Sequence, residues 1–463
     1  MATPDPGAPL VLPANDPRRV LGERAMTLPQ YLVVAVCVAV NMIDGYDILA
    51  ISLAASSLKA AWGLSDAQLG TLLATHLAGM ALGALAVSPV ADQWGRRPAI
   101  LTCLVLMSIG MVICALSQSY WSMMAGRLIT GLGIGGMTST VGMLALEYAS
   151  FRRREFSGSV VASAYPVGTI IGAFVAASAL DQFDWRAIFW VGAVLSALLL
   201  PLAILLMSES LDFLLGRQPK GALTKANGVL RRMGIAELAE LPPKPAGAEG
   251  AVLREIRQKV HVKELLKLFL AHALNMFGWY FIIQWAPPLI AEASGDAVLG
   301  ARYSQYFSYG GIIGGLTAGY LCGRLGTRRV MWVTMLGMGG LIALFGQAIG
   351  EPATVLWLAP LIGAALFGSA TANWLTIAFA FPPQLRATGL GFATTAGRIG
   401  AVGGPYVGGL LLATRETGAL ELAGQTWPMT LSIGAVCAII ALSSVLSALT
   451  FHFARRLEPQ RKG

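Results

Sequence analysis

About a dozen stretches of close to 20 residues, each apolar and nearly free of charge, run through this chain, and nothing else in it limits the fold so severely. A helix rising 1.5 Å per residue needs ~20 apolar residues to cross a hydrocarbon layer ~30 Å thick. The stretches lie roughly at 30–57, 67–90, 98–117, 121–146, 157–180 and 186–207, then at 265–291, 303–323, 329–349, 354–380, 388–413 and 428–453. With 56% of 463 residues hydrophobic, 12% charged and a mean hydropathy of +0.66, the chain has too little polar surface to cover a water-soluble domain of its size. The expected fold is an all-α membrane protein of twelve transmembrane helices in two six-helix bundles.

Charge placement gives the orientation, because loops rich in Lys and Arg stay on the cytoplasmic side. With both termini inside, only Lys59, Arg186, Arg302 and Arg415 of the 33 basic residues face outward, and Arg127 and Arg398 lie within apolar segments. The net charge of +9 follows from that topology. It implies contact with anionic membrane lipid, and no aromatics interleave the basic loops as a nucleic-acid surface would require. Residues 1–29, with Arg18, Arg19 and Arg24 and no apolar core of a signal peptide, read as a cytosolic tail. The five cysteines sit in or beside apolar segments without metal-type spacing and are expected to be reduced core thiols. No Ser–His–Asp set or metal motif points to an enzyme, and no cofactor is expected.

Residues 208–263 interrupt the apolar series with a charged, proline-containing stretch. It divides the chain into a bundle at 30–207, a cytosolic linker, a bundle at 264–453 and a short tail at 454–463. The halves repeat: Ser88-Pro-Val-Ala-Asp92-Gln-Trp-Gly95-Arg96-Arg97 follows segment 2, and Gly319-Tyr-Leu-Cys-Gly323-Arg-Leu-Gly326-Thr-Arg328-Arg329 follows segment 8, with glycine and basic positions at one offset. Gly95 and Gly326 suit a helix end that needs a left-handed residue.

That turn resembles the loop G-x-x-x-D-x-x-G-R-[RK] of the major facilitator superfamily. Asp92, Gly95, Arg96 and Arg97 match, and Ser88 stands for the first glycine. Within the superfamily the chain resembles the aromatic acid:proton symporter family. The matching stretches are Asp44-Gly45-Tyr46-Asp47, Arg127 to Gly136, Glu147-Tyr148, Trp185-Arg186-Ala-Ile-Phe, Glu209-Ser210-Leu211 and Arg386-Ala-Thr-Gly-Leu-Gly391 leading to Gly397-Arg398-Ile-Gly400. Ser208, where the family has Pro, and Gly323, where the second repeat often carries an acid, depart from the pattern. The resemblance implies proton-coupled uptake of an aromatic carboxylate across an inner membrane by alternating access, with protons as the coupling ion. A monomer is expected. A rival within the superfamily, an exporter of drugs or metabolites, is suggested by Tyr165-Pro166-Val-Gly168-Thr-Ile-Ile-Gly172 in segment 5.

Asp44 and Asp47 fall 13 and 10 residues from the outer end of segment 1 and, at i and i+3, share a helix face. A carboxylate at such depth costs on the order of 2.5–3.5 kcal/mol, so both are expected to line a polar path and carry proton coupling, with a structural ion pair as the alternative. Arg127 is placed to reach either acid, as a fixed bridge or as a switch that frees the arginine for a substrate carboxylate. Arg398, near the midplane of segment 11, is expected to bind the substrate, because guanidinium holds a carboxylate bidentately and stays charged. Tyr46, Trp279 and Asn373 are the expected neighbours of the substrate, Trp279 and Asn373 being preferred among the polar and aromatic residues of segments 7 and 10. Asp92, Gly95, Arg96, Glu147 and Arg386 are expected to form an inner gate. His76 reads as a neutral hydrogen-bonded histidine or as a proton relay.

Overall fold

A computed structural model describes residues 16–243, 262–380, 386–422 and 425–453. Twelve helices of at least 21 residues dominate it. The first bundle comprises α2 (Leu28–Trp62), α3 (Asp66–Trp94), α4 (Arg96–Leu116), α5 (Tyr120–Tyr148), α6 (Arg154–Gln182) and α7 (Arg186–Leu206), preceded by a short α1 (Pro17–Glu23). Two short helices, α8 (Leu211–Arg217) and α9 (Ala222–Arg232), follow. The second bundle comprises α10 (Val262–Ser294), α11 (Ala297–Leu325), α12 (Thr327–Ala348), α13 (Pro352–Ala380), α14 (Arg386–Thr417) and α15 (Ile433–Phe453). Ten of the twelve are apolar and long enough to span a membrane by composition alone.

The sequence repeat reappears as a repeat of packing. In the first bundle α2 pairs with α6, α3 with α5 and α4 with α7, and in the second α10 pairs with α14, α11 with α13 and α12 with α15. The interface between bundles repeats too, α3 against α14 and α6 against α11. Glycines set the closest crossings, since small residues let helix backbones touch. A Cβ on Gly45 would lie 2.0 Å from the Tyr165 carbonyl oxygen, and one on Gly400 would lie 1.8 Å from that of Ala273.

Gly95 and Gly326 both end a helix with positive φ, +114° and +87°, but ψ near 150° puts them in an extended glycine region instead of the left-handed one expected. The turn is thus sharper than a helix cap, and α4 and α12 start at once behind it. The stretch at 208–243 is not a bare linker: Phe213, Leu214 and Leu215 of α8 are buried, and Gln218 Nε2 donates to the Pro242 carbonyl at 2.7 Å. The expected loop between segments 11 and 12 contains a small antiparallel pair, β1 (Ala419–Leu422) and β2 (Gln425–Pro428), with Leu420 opposite Trp427.

Candidate functional site

Asp47 is held inside the first bundle. Arg127 of α5 donates through Nη1 to Asp47 Oδ1 at 2.8 Å and through Nη2 to the Asp47 carbonyl at 3.1 Å, with both side chains fully buried. His76 of α3 lies beside the other carboxylate oxygen, Nε2 to Oδ2 3.4 Å and not hydrogen-bonded to it, and its Nδ1 lies 3.3 Å from Thr130 Oγ1. Four residues from three helices therefore form one buried polar knot. Both sequence alternatives for Arg127 included this pairing, and in this conformation its guanidinium faces Asp47.

Asp44 has no such partner. One turn below Asp47, it is 3% exposed, receives a long 3.4 Å contact from Thr138 Oγ1 and leaves Oδ1 without a hydrogen bond. Arg398, from the other bundle, and Asp47 are both near enough to act on its charge. Arg398 crosses from α14 toward α3, where its Nη1 meets Met80 Sδ at 3.5 Å, while its Nε is buried and unpartnered. Among the described residues no carboxylate oxygen comes within 4.0 Å of it, although Asp44 and the hydroxyls of Tyr280 and Tyr165 surround it electrostatically. A partly buried guanidinium without a paired anion is chemically suited to receive one.

Tyr46 lies elsewhere. Its hydroxyl donates to the Ile188 carbonyl of α7 at 2.6 Å, and its ring borders an apolar groove of about 300 Å³ between α2, α6 and α7. This residue, expected beside the substrate, turns toward α7 and not toward Arg127, because neighbours on a helix are ~100° apart.

Trp279 and Asn373 do face each other's helices. Trp279 packs edge-on against Phe367 of α13 at 5.5 Å and Tyr280 at 4.8 Å, with Nε1 unpartnered. Asn373 is fully buried and bonds His272 of α10, Nδ2 to Nδ1 2.9 Å. His272 escaped sequence reasoning; its only signal is its place two turns before Trp279 on one helix face.

The bundles are latched at the face away from the chain termini. Lys59 of α2 bridges Asp66 of its own bundle, Glu416 Oε1 of α14 at 3.0 Å and Glu292 Oε2 of α10 at 3.5 Å, and Arg415 adds a 3.1 Å contact to Glu292. Ser52 Oγ donates to the Gln284 carbonyl at 2.7 Å, and Thr169 Oγ1 meets Ser308 Oγ at 2.8 Å. A vestibule of about 890 Å³ lies over this latch. Lys59 entered the sequence reading only as an outward charge; Asp66, Glu292 and Glu416 gave no sign, since their pairings span up to about 350 residues.

At the opposite end, Glu209 caps α4: its carboxylate accepts from the Arg96 amide at 2.9 Å and the Arg97 amide at 3.3 Å, at the positive end of the helix. A Cβ on Gly95 would lie 2.2 Å from Glu209 Oε2, so glycine is needed there for space as well as for φ. Burial pushes the Glu209 carboxyl above its usual range against the pull of these amides. Arg96 reaches Glu147 at 3.4 Å, and Tyr148 donates to the Glu209 carbonyl at 2.6 Å. Gly95, Arg96 and Glu147, expected from the sequence to form a gate, thus meet, with Glu209 as a fourth member of the cluster. The side chains of Asp92 and Arg386 lie outside the described residues.

The sequence profile of the Major Facilitator Superfamily matches residues 34–405. The chain belongs to the major facilitator superfamily. It is therefore a multi-pass membrane transporter and not an enzyme. Its curated relatives include the 4-hydroxybenzoate transporter PcaK of Acinetobacter baylyi, 26% identical over 94% of this chain and 95% of that one. A gallate transporter of Pseudomonas putida is 27% identical over 85% and 88%, and a gentisate transporter of Corynebacterium glutamicum is 27% identical over 80% and 78%. Among solved structures, the partially occluded, inward-open xylose transporter XylE of E. coli superposes with a TM-score of 0.70 at 19% identity, covering 94% of this chain and 99% of that one. At that identity the likeness concerns the fold alone.

Proposed function

We propose that this superfamily member takes up an aromatic carboxylate together with protons across an inner membrane, with both termini cytoplasmic. The observation that carries the reading is Arg398: a half-buried guanidinium at the bundle interface, its Nε buried and without a partner and no carboxylate oxygen within 4.0 Å among the described residues, next to an acid of the opposite bundle that has no counter-ion of its own. The names of the relatives, transporters of 4-hydroxybenzoate, gallate and gentisate, support an aromatic acid as the anion.

In this reading the substrate carboxylate docks on Arg398, and Asp44 exchanges the proton, because Asp47 is already paired with Arg127. An ionised Asp44 competes with the substrate for the field of Arg398, and a protonated one does not, which couples proton loading to substrate loading. Neutralising the interface charges lets the bundles rock about it. The Lys59 latch holds the outer face shut in the present state, and the Gly95–Arg96–Glu147–Glu209 cluster keeps the inner ends of α3, α4 and α5 together.

Uptake of radiolabelled 4-hydroxybenzoate into proteoliposomes, driven by an inside-alkaline pH gradient, tests it. Gradient-driven accumulation that is lost in Arg398→Ala supports the reading; unchanged affinity in that variant refutes the anchor. Accumulation only under the reversed gradient would favour the exporter.

A further inference from the structure

We propose that Asn373, positioned by His272, is a specificity-determining residue that accepts a hydrogen bond from a ring hydroxyl or amine of the transported acid, so that hydroxylated aromatic carboxylates are the preferred substrate class. This rests on the aromatic-acid reading above and refines the same site.

Three features meet. Asn373 is fully buried, and its amide is half used: Nδ2 donates to His272 Nδ1 at 2.9 Å, while Oδ1 is a buried acceptor without a partner. With the amide nitrogen on Nδ1, the imidazole carries its proton on Nε2 and Oδ1 is the amide atom left to accept. The pair also adjoins the anion anchor. Gly397, the residue before Arg398, lies so close to the imidazole that a Cβ there would sit 2.5 Å from His272 Nε2.

The third feature is the aromatic wall on the same two helices. Trp279 and Phe367 pack at 5.5 Å, and His272 precedes Trp279 on α10 by seven residues, about 10 Å of helix. An aromatic acid with its carboxylate on Arg398 would lie along this wall, and the group it must present to Asn373 Oδ1 is a hydrogen donor. An acceptor left bare in a dry site favours a ligand that supplies the donor and penalises one that does not.

Competition against labelled 4-hydroxybenzoate in proteoliposomes reads this directly. For the wild type, benzoates bearing a donor at the 3- or 4-position (hydroxy, amino) are expected to compete about tenfold or more better than methoxy analogues or benzoate itself. In Asn373→Leu that ratio should collapse toward one, and Asn373→Ser, which keeps a small acceptor, should restore part of it. Equal competition by hydroxy and methoxy analogues in the wild type overturns the assignment without touching the transport reading. A parallel loss of all acids in both variants, with the ratio kept, marks the pair as structural and overturns it too. No uptake of any aromatic acid by the wild type would overturn the proposed function, and this assignment with it.

Discussion

Replacing Lys59 with methionine removes the ammonium that three carboxylates share and keeps most of its aliphatic stem. Two of its contacts, to Glu416 at 3.0 Å and Glu292 at 3.5 Å, join the bundles, whereas the Asp66 contact stays within one bundle and does not change with opening. Glu416 and Glu292 are 37% and 39% exposed, so water screens both pairs, and each contributes about 0.5–1 kcal/mol. Losing both shifts the balance toward an open outer face by about 1–2 kcal/mol, a change of about 5- to 30-fold in the ratio of states. The assay is alkylation of a cysteine placed at Ser56, which lines the vestibule, by a membrane-impermeant maleimide. The five native cysteines are buried and give little background. Labelling should quicken by roughly that factor in the Lys59→Met background. An unchanged rate would mean that the latch does not hold the closed state and that the contacts at Ser52 and Thr169 suffice.

Asp44→Asn should abolish accumulation against a gradient while leaving counterflow of bound acid, measured as exchange in preloaded vesicles; loss of exchange as well would show that Asp44 serves binding and not coupling. Asp47→Leu leaves the fully buried Arg127 charge without its partner and should cost about 3–5 kcal/mol, read as a large fall in Tm in detergent, and the double variant with Arg127→Leu should recover much of it. Gly45→Val forces a side chain into the Tyr165 carbonyl and should lower stability by about 1–3 kcal/mol or block insertion, whereas Gly323→Ala, with open space around it, should change neither Tm nor uptake. Arg398→Lys should weaken competition by aromatic acids about tenfold or more, because one ammonium cannot hold both carboxylate oxygens as the guanidinium fork does.

Much of this protein is written in one dimension. Segment length and polarity set the number of helices, because lipid leaves the backbone no other way to satisfy its hydrogen bonds than within a helix. The duplicated Gly95 and Gly326 turns announced two similar halves, and the packing pairs repeat accordingly. The buried charges were also legible as a group: Asp44, Asp47, Arg127 and Arg398 are too costly at that depth to be incidental. What the tertiary structure alone decided is direction. A spanning helix is apolar all round, so its sequence carries little sign of which side meets lipid and which meets protein. Tyr46 and Asp47 are adjacent yet meet different helices, one reaching Ile188 and the other Arg127. The latch at Lys59 and the His272–Asn373 pair join residues far apart in the chain, and no local pattern marks such partners, because their attraction exists only once the bundles bring them within a few ångströms.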